Sequence, residues 1–307
     1  MGYESAIVFS GIAPHPPIMV PEVGGEAIAE VSGSINAMAE LTRRVIGCGA
    51  ETVVLISPHA PLDAEAFVAY QTPMLHGDFS GFRAPDATVA FPLDEELLQA
   101  IKLAAGYEDY AVSPLEDHQL DHGSAVPLYF LQQHGWHGRV VALGYSFLSN
   151  QDHLKFGACI RRAIERVGRA VAVIASGDLS HRLKPGAPAG YKPTAHLFDD
   201  QVVEALRHNA PSQIIDIDQD LRRLAGECGY RSMLVVLGAT QELRSAAEVL
   251  HYEAPFGVGY LVAQLTSAKS VVRIEAPGPA ADDAGAEGAC ETNPAQTLPA
   301  LAREAVE

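Results

Sequence analysis

The sequence predicts an α/β protein, a single large domain whose layered sheet is covered by helices on both faces. Three observations point there. Short apolar runs rich in Val and Ile recur along the chain, each closed by a Gly, Ser or Pro turn, as buried strands are. Longer patterns of helical periodicity separate these runs. Hydrophobic residues make up 48% of the 307 and charged residues 19%, enough apolar surface to fill both sides of a sheet.

The elements follow in order. Residues 5–11 read as the first strand, 27–46 as a helix and 52–57 as the next strand. Residues 67–91, broken by Pro73, Gly77, Gly81 and Pro85, read as β-hairpins or a loop over the sheet. A helix is predicted over 94–104, with Asp94 in its opening turn, then a strand over 139–143. Asn150 stands where it would cap a helix over 151–167. A strand at 170–176, helices at 196–208 and 231–243, and strands at 248–252 and 258–265 complete the body. No internal repeat of fixed period is visible.

Composition shifts after Ser267. The first domain is therefore placed at 1–267, and 268–297, rich in Ala, Gly, Pro and acid, reads as a flexible linker. The stretch LPALAREAVE at 298–307 turns helical again, which suits the opening of a further domain.

Charge and cysteine usage narrow the classes. The formal charge is −17, so the chain as a whole repels nucleic acid and anionic membranes, and neither is expected as a partner. No run approaches the roughly 18–20 apolar residues of a membrane span, and the first ten residues carry no basic segment of the secretory type. Cys48, Cys159, Cys228 and Cys290 are scattered without CxxC spacing. A disulfide framework or a thiolate zinc site is not expected, and a cytoplasmic setting is.

Histidine is the informative residue. In open α/β sheets ligands bind at the carboxyl ends of strands, and three of the twelve histidines fall there. His15 follows the first strand in GIAPHPPI, His59 another in VVLISPHAP, and His181 a third in VIASGDLSHR. His122 stands in DHGSAVPLYFL beside Asp121 and Ser124, near a helix start, and Glu253 ends a strand in HYEAPFGVGY. Two neutral imidazoles and a carboxylate on one face of a metal suit non-haem Fe(II), though Zn, Mn and Cu accept similar donors. Further histidines would carry protons near neutral pH. Asp178 would cap the following turn and in doing so orient His181, and His251, two residues from Glu253, shares its strand face.

Plainer readings stand beside these. A single histidine next to proline is commonly a turn residue, and Glu253 alone reads as a strand-end acid. His76, His118, His134, His137, His153, His196 and His208 read as surface or amphipathic-face residues. Ser124 and Ser180 lack a GxSxG setting, which argues against a serine hydrolase.

Taken in order, PHPPI, SPHAP, DHGSAVPLYFL, SGDLSHRL, ECGYRSMLVVLGA and YEAPFGVGY resemble the LigB-like superfamily. That group includes the catalytic subunits of class III extradiol dioxygenases and the Memo-like proteins. The chain is most similar to the LigB/Memo-type domain of bacterial AmmeMemoRadiSam proteins, and LPALAREAVE resembles the opening helix of an AMMECR-type domain. The resemblance implies His15, His59 and Glu253 as ligands of Fe(II), with His181 as acid/base and His122 helping to orient substrate or oxygen. It implies a small catechol-like aromatic and dioxygen as substrates, with ring opening beside the diol. Arg182 and Lys184 follow His181 and would anchor a substrate's negative group. An AMMECR-type domain, a radical-SAM partner or a second copy of the chain would be the macromolecular partners. Two other readings remain: a Memo-like metal-binding or interaction module without dioxygenase turnover, and a zinc hydrolase acting through a metal-bound water.

Overall fold

A computed structural model describes residues 6–267; the segments at 268–297 and 298–307 lie outside the described residues. Ten strands are present among the described residues: β1 (Ile7–Ala13), β2 (Thr52–Ser57), β3 (Phe67–Tyr70), β4 (Met74–Phe79), β5 (Ala84–Pro92), β6 (Val112–Leu115), β7 (Arg139–Gly144), β8 (Val171–Ser176), β9 (Glu248–Glu253) and β10 (Tyr260–Ser267). The helices are α1 (Pro21–Gly24), α2 (Ser32–Gly47), α3 (Glu95–Gly106), α4 (His122–Gln133), α5 (Asn150–Val167), α6 (His196–Arg207), α7 (Gln219–Ala225) and α8 (Tyr230–Thr240). No helix among the described residues is long and apolar enough to cross a membrane.

Eight strands form one mixed sheet in the order β6-β3-β7-β2-β8-β1-β10-β9, and β4 pairs with β5 as a separate hairpin. The four central strands, β7, β2, β8 and β1, are mutually parallel. β2 and β8 are buried along their whole length, which is why the sequence shows them as continuous apolar runs rather than alternating ones. Helices α2 and α4 contact each other, α3 and α8 both pack on α5, and the two groups meet the same strands β1, β2 and β8. The sheet is thus flanked by helices as the sequence predicts.

Caps explain the helix starts. Asp94 accepts from the Leu97 amide at 3.1 Å and caps α3. Ser149, rather than Asn150, caps α5, in a reciprocal box with Asp152; Asn150 is already the first helical residue. The reason is geometric: the capping side chain must sit one residue before the helix to reach the amide at its third position. Residues 67–91 divide, β3 joining the main sheet beside β7 and β4/β5 forming the hairpin.

Candidate metal centre

The parallel core decides where the histidines go. β1, β2 and β8 point the same way, so the residues after Ala13, Ser57 and Ser176 emerge at one edge. His15, His59 and the Asp178–His181 loop are those residues.

His15 is buried, 2% exposed. Its amide donates to Asp178 Oδ1 at 3.0 Å, and its Nδ1 lies 2.9 Å from Ser176 Oγ. That hydroxyl donates its only proton to the Gly123 carbonyl at 2.5 Å, so towards His15 it accepts. Nδ1 therefore carries the ring proton, and the lone pair of His15 lies on Nε2. Nε2 faces His59 Nε2 at 3.0 Å, Cys228 Sγ at 3.7 Å and Asp178 Oδ2 at 3.8 Å.

Behind His59, Ser57 Oγ accepts from the His59 amide at 3.2 Å and donates to Asp121 Oδ1 at 2.5 Å. Asp121 also caps α4 and accepts from the Tyr70 hydroxyl at 2.9 Å. His122 is thereby fixed as the first residue of α4. Its ring stacks on His59 at 4.2 Å between centroids and meets His15 edge-on at 5.4 Å. His181 donates from Nδ1 to the Leu179 carbonyl at 3.0 Å, leaving its lone pair on Nε2 while neutral. Asp199 holds the preceding residue by accepting from the Ser180 amide at 2.9 Å, and it takes the Tyr252 hydroxyl at 2.7 Å.

Cys228 arrives from the turn between α7 and α8. Gly177 and Gly229 meet backbone to backbone there: a Cβ on Gly177 would stand 2.1 Å from the Gly229 Cα. Only glycine allows this approach, and it sets the Asp178 amide 3.3 Å from Cys228 Sγ as a donor. His15, His59 and Cys228 offer ligand atoms that all lie within 4.8 Å of one another.

The cluster is poor in charge. Burial is the largest cause lowering the pKa of His15, His59, His122 and His181, and neighbouring imidazoles add to it for His15, His59 and His181. His59 falls to about 4. Burial pushes Asp178 up to about 7 and the Cys228 thiol well above its ordinary value. Neutral imidazoles with inward lone pairs, beside a thiol, form a donor set that fits a borderline or soft transition metal.

Glu253 is placed elsewhere. β9 is the sheet's edge strand, two strands out from β1, roughly 10 Å away at ordinary spacing. Its carboxylate accepts from the Ser34 amide at 2.8 Å and hydroxyl at 2.5 Å, at the start of α2. His251 Nε2 lies 3.4 Å from its other oxygen, over Gly33, where a Cβ would be 2.3 Å from that nitrogen. The structure brings His15, His59, His122, His181 and Asp178 together and leaves Glu253 and His251 as a separate pair. Lys184 donates to the Pro255 carbonyl and lies 5.7 Å over the Phe256 ring, and Arg182 donates to the Leu224 carbonyl at 3.3 Å. Both tie the loop after β8 to its neighbours. Cys228 was missed because a lone cysteine has no spacing signal; its turn, ECGYRSM, was the available clue.

This sheet gathers histidines at its parallel strand ends, where α/β proteins bind ligands. The chain belongs to the LigB family, described as the catalytic LigB subunit of aromatic ring-opening dioxygenase, whose profile matches residues 11–263. It is 33% identical over 263 residues to Protein CA_C1420 of Clostridium acetobutylicum, covering 83% of this chain and 56% of that one. It is 25% identical to a 3,4-dihydroxyphenylacetate 2,3-dioxygenase of Escherichia coli, covering 62% and 71% of the two chains. It is 27% identical to a MEMO1 family protein of Methanosarcina barkeri, covering 44% and 48%. The chain thus spans about half the length of two of these relatives. A crystal structure of an uncharacterized E. coli K12 protein, JW3007, shares the fold with a TM-score of 0.58 at 15% identity, covering 84% of this chain and all of that one.

Proposed function

We propose that this chain is a metal-dependent redox protein of the LigB superfamily working in the Memo-like manner, its ion held by His15, His59 and Cys228. One observation carries the reading: these three side chains, from distant parts of the sequence, bring their ligand atoms within 4.8 Å of one another. Of Fe(II), Zn, Mn and Cu, a pair of imidazoles and a thiol favours Fe(II), Cu or Zn and disfavours Mn. When bound, such an ion supplies Lewis acidity and, for Fe or Cu, electron transfer. The remaining residues position and move protons. Ser176 holds His15 in the tautomer that presents Nε2, and Asp178 fixes the His15 backbone. His181 Nε2 is the proton acceptor for a bound ligand, with His122, stacked on His59, as its counterpart.

A second reading, dioxygen insertion with opening of a catechol-like ring, is supported by the family description and by the dihydroxyphenylacetate dioxygenase relative. A carboxylate ligand would favour it, whereas Glu253 is bonded to Ser34. An AMMECR-type domain or radical-SAM partner rests on the resemblance of the sequence motifs, and the division at residue 267 on the composition shift there.

The deciding experiment is metal analysis and oxygen uptake on protein reconstituted anaerobically with Fe(II), offered a panel of catechols. The expected result is about one metal per chain, lost in Cys228→Ser and kept in Glu253→Ala, without catechol-dependent oxygen uptake. Uptake lost on Glu253→Ala would reverse the choice between the two readings.

A further inference from the structure

Two imidazoles are neutral donors, and a thiol that yields its proton to a metal supplies one negative charge. A divalent ion among His15, His59 and Cys228 therefore keeps positive charge in excess, and excess charge away from water is costly unless an acid stands close. One acid beside the histidines is built for that role. Asp121 is half-buried, and its carboxylate accepts four hydrogen bonds. Oδ1 takes the Ser57 hydroxyl at 2.5 Å and the Ser124 amide at 3.0 Å. Oδ2 takes the hydroxyls of Tyr70 and Ser124, both at 2.9 Å. With donors on both oxygens, neither is left to carry a proton, and the group is a fixed anion. Asp178, by contrast, accepts one amide, from His15.

The same carboxylate is tied to both ligand histidines. Ser57, which donates to it, accepts from the His59 amide at 3.2 Å. Asp121 also caps α4, whose first turn presents the Gly123 carbonyl to Ser176, and Ser176 in turn accepts from His15 Nδ1. Tyr70 clamps the acid, accepting its amide at 3.1 Å while giving its own proton to Oδ2. Acid and ring close on one point at Gly123, where a Cβ would stand 2.4 Å from Ser57 Oγ, 2.9 Å from Asp121 Oδ1 and 3.3 Å from His59 Cδ2. Only glycine leaves that room. The charge is felt around it: burial lowers the pKa of His59 and His122 and the Asp121 charge opposes it, while burial raises Tyr70 and the same charge adds to it.

We propose that Asp121 is a positioning residue of the metal centre, setting His59 through Ser57 and His15 through Gly123 and Ser176, and that its fixed negative charge favours the more highly charged state of the ion. The inference rests on the metal-centre reading and adds what governs the ion's charge there. With a monovalent ion the thiolate alone reaches neutrality, so Asp121 matters less to it than to a divalent one.

The test separates the charge from the bonds. Affinities for Cu(II) and for Cu(I), each at one equivalent per chain, are measured anaerobically by chelator competition. Asp121→Asn and Asp121→Ser remove the charge and keep a residue that caps helices, whereas Ser57→Ala removes a bond and keeps the charge. In both Asp121 variants Cu(II) affinity is expected to fall about tenfold or more beyond any fall for Cu(I), as loss of one nearby charge requires. The metal-free melt should stay cooperative. Ser57→Ala is expected to weaken both ions equally, within the roughly 10–100-fold cost of an outer supporting bond. Equal losses for the two ions in the Asp121 variants, or no loss in them or in Ser57→Ala, overturn the proposal. Wild-type protein that binds neither ion overturns the metal reading and the proposal together, which sets that failure apart from the first.

Discussion

Two corners of this molecule place a histidine beside an acid at the end of a strand, and they do opposite things with it. At the sheet centre, His15 and Asp178 come from adjacent parallel strands and are sealed from water. At the sheet edge, His251 and Glu253 stand on one strand, partly exposed, and the acid's bonds go to the start of α2. In the first corner burial strips charge from the imidazole, leaving a lone pair for a cation. In the second the carboxylate satisfies a helix amide and hydroxyl, a role that stabilises structure. The same residue types give a ligand site or a cap according to which strands lie next to each other.

The sharpest way to break this contrast is Cys228→Ser. Metal affinity should drop by more than the roughly 10–100-fold that loss of an outer supporting bond costs, as read by equilibrium dialysis against a chelator. Asp178→Ala removes such a supporting bond, to the His15 amide, and should fall within that 10–100-fold range. Retained affinity in both variants would show that the strand-end cluster is not the metal centre.

The pH dependence of the metal-free protein separates the corners further. The four clustered imidazoles have folded pKa values below the unfolded value of about 6.5. The unfolded chain therefore binds more protons as pH falls. Stability is present above about pH 6.5 and is lost progressively towards about 4, where His59 titrates in the fold. Asp178 and Glu227, both raised to about 7 by burial, act in the opposite direction, as does Asp199, and they oppose the imidazole loss over the same range. Urea midpoints between pH 7 and 4.5 measure this. A bound metal should steepen the loss, since protons compete with it for the same nitrogens and its stabilisation shrinks as pH falls.

Glu253→Ala gives the smallest effect. It should cost about 0.5–2 kcal/mol of stability, the usual range for a lost helix cap, and leave metal affinity unchanged. A shift in the denaturation midpoint with full metal content confirms the structural role, while loss of metal would return Glu253 to the ligand set.

The gathering of the strand-end histidines was legible in advance. His15, His59 and His181 announce themselves because a buried parallel strand reads as an apolar run, and its following residue must sit at the ligand-binding edge. Asp178 reads as a partner of His181, whereas its carboxylate takes the amide of His15 from the neighbouring strand. Glu253 was misleading because strand-end position alone does not say how far a strand lies from the centre. β9 is at the edge, a fact of strand order invisible in local pattern. Cys228 was hidden for the converse reason. It follows a helix rather than a strand, and only the Gly177–Gly229 contact delivers it to the site. His153, with the pattern of a helix-face residue, is buried and pins the Tyr145 loop.

The sequence by itself determined the alternation of strands and helices, the parallel core and the histidines at its carboxyl edge, because each follows from local periodicity and from the turn that ends a strand. Tertiary structure alone decided that Cys228 stands beside the histidines and that Glu253 does not. Those depend on strand order and on backbone contacts between segments some fifty residues apart in the chain, where ligand chemistry is set by distance in space.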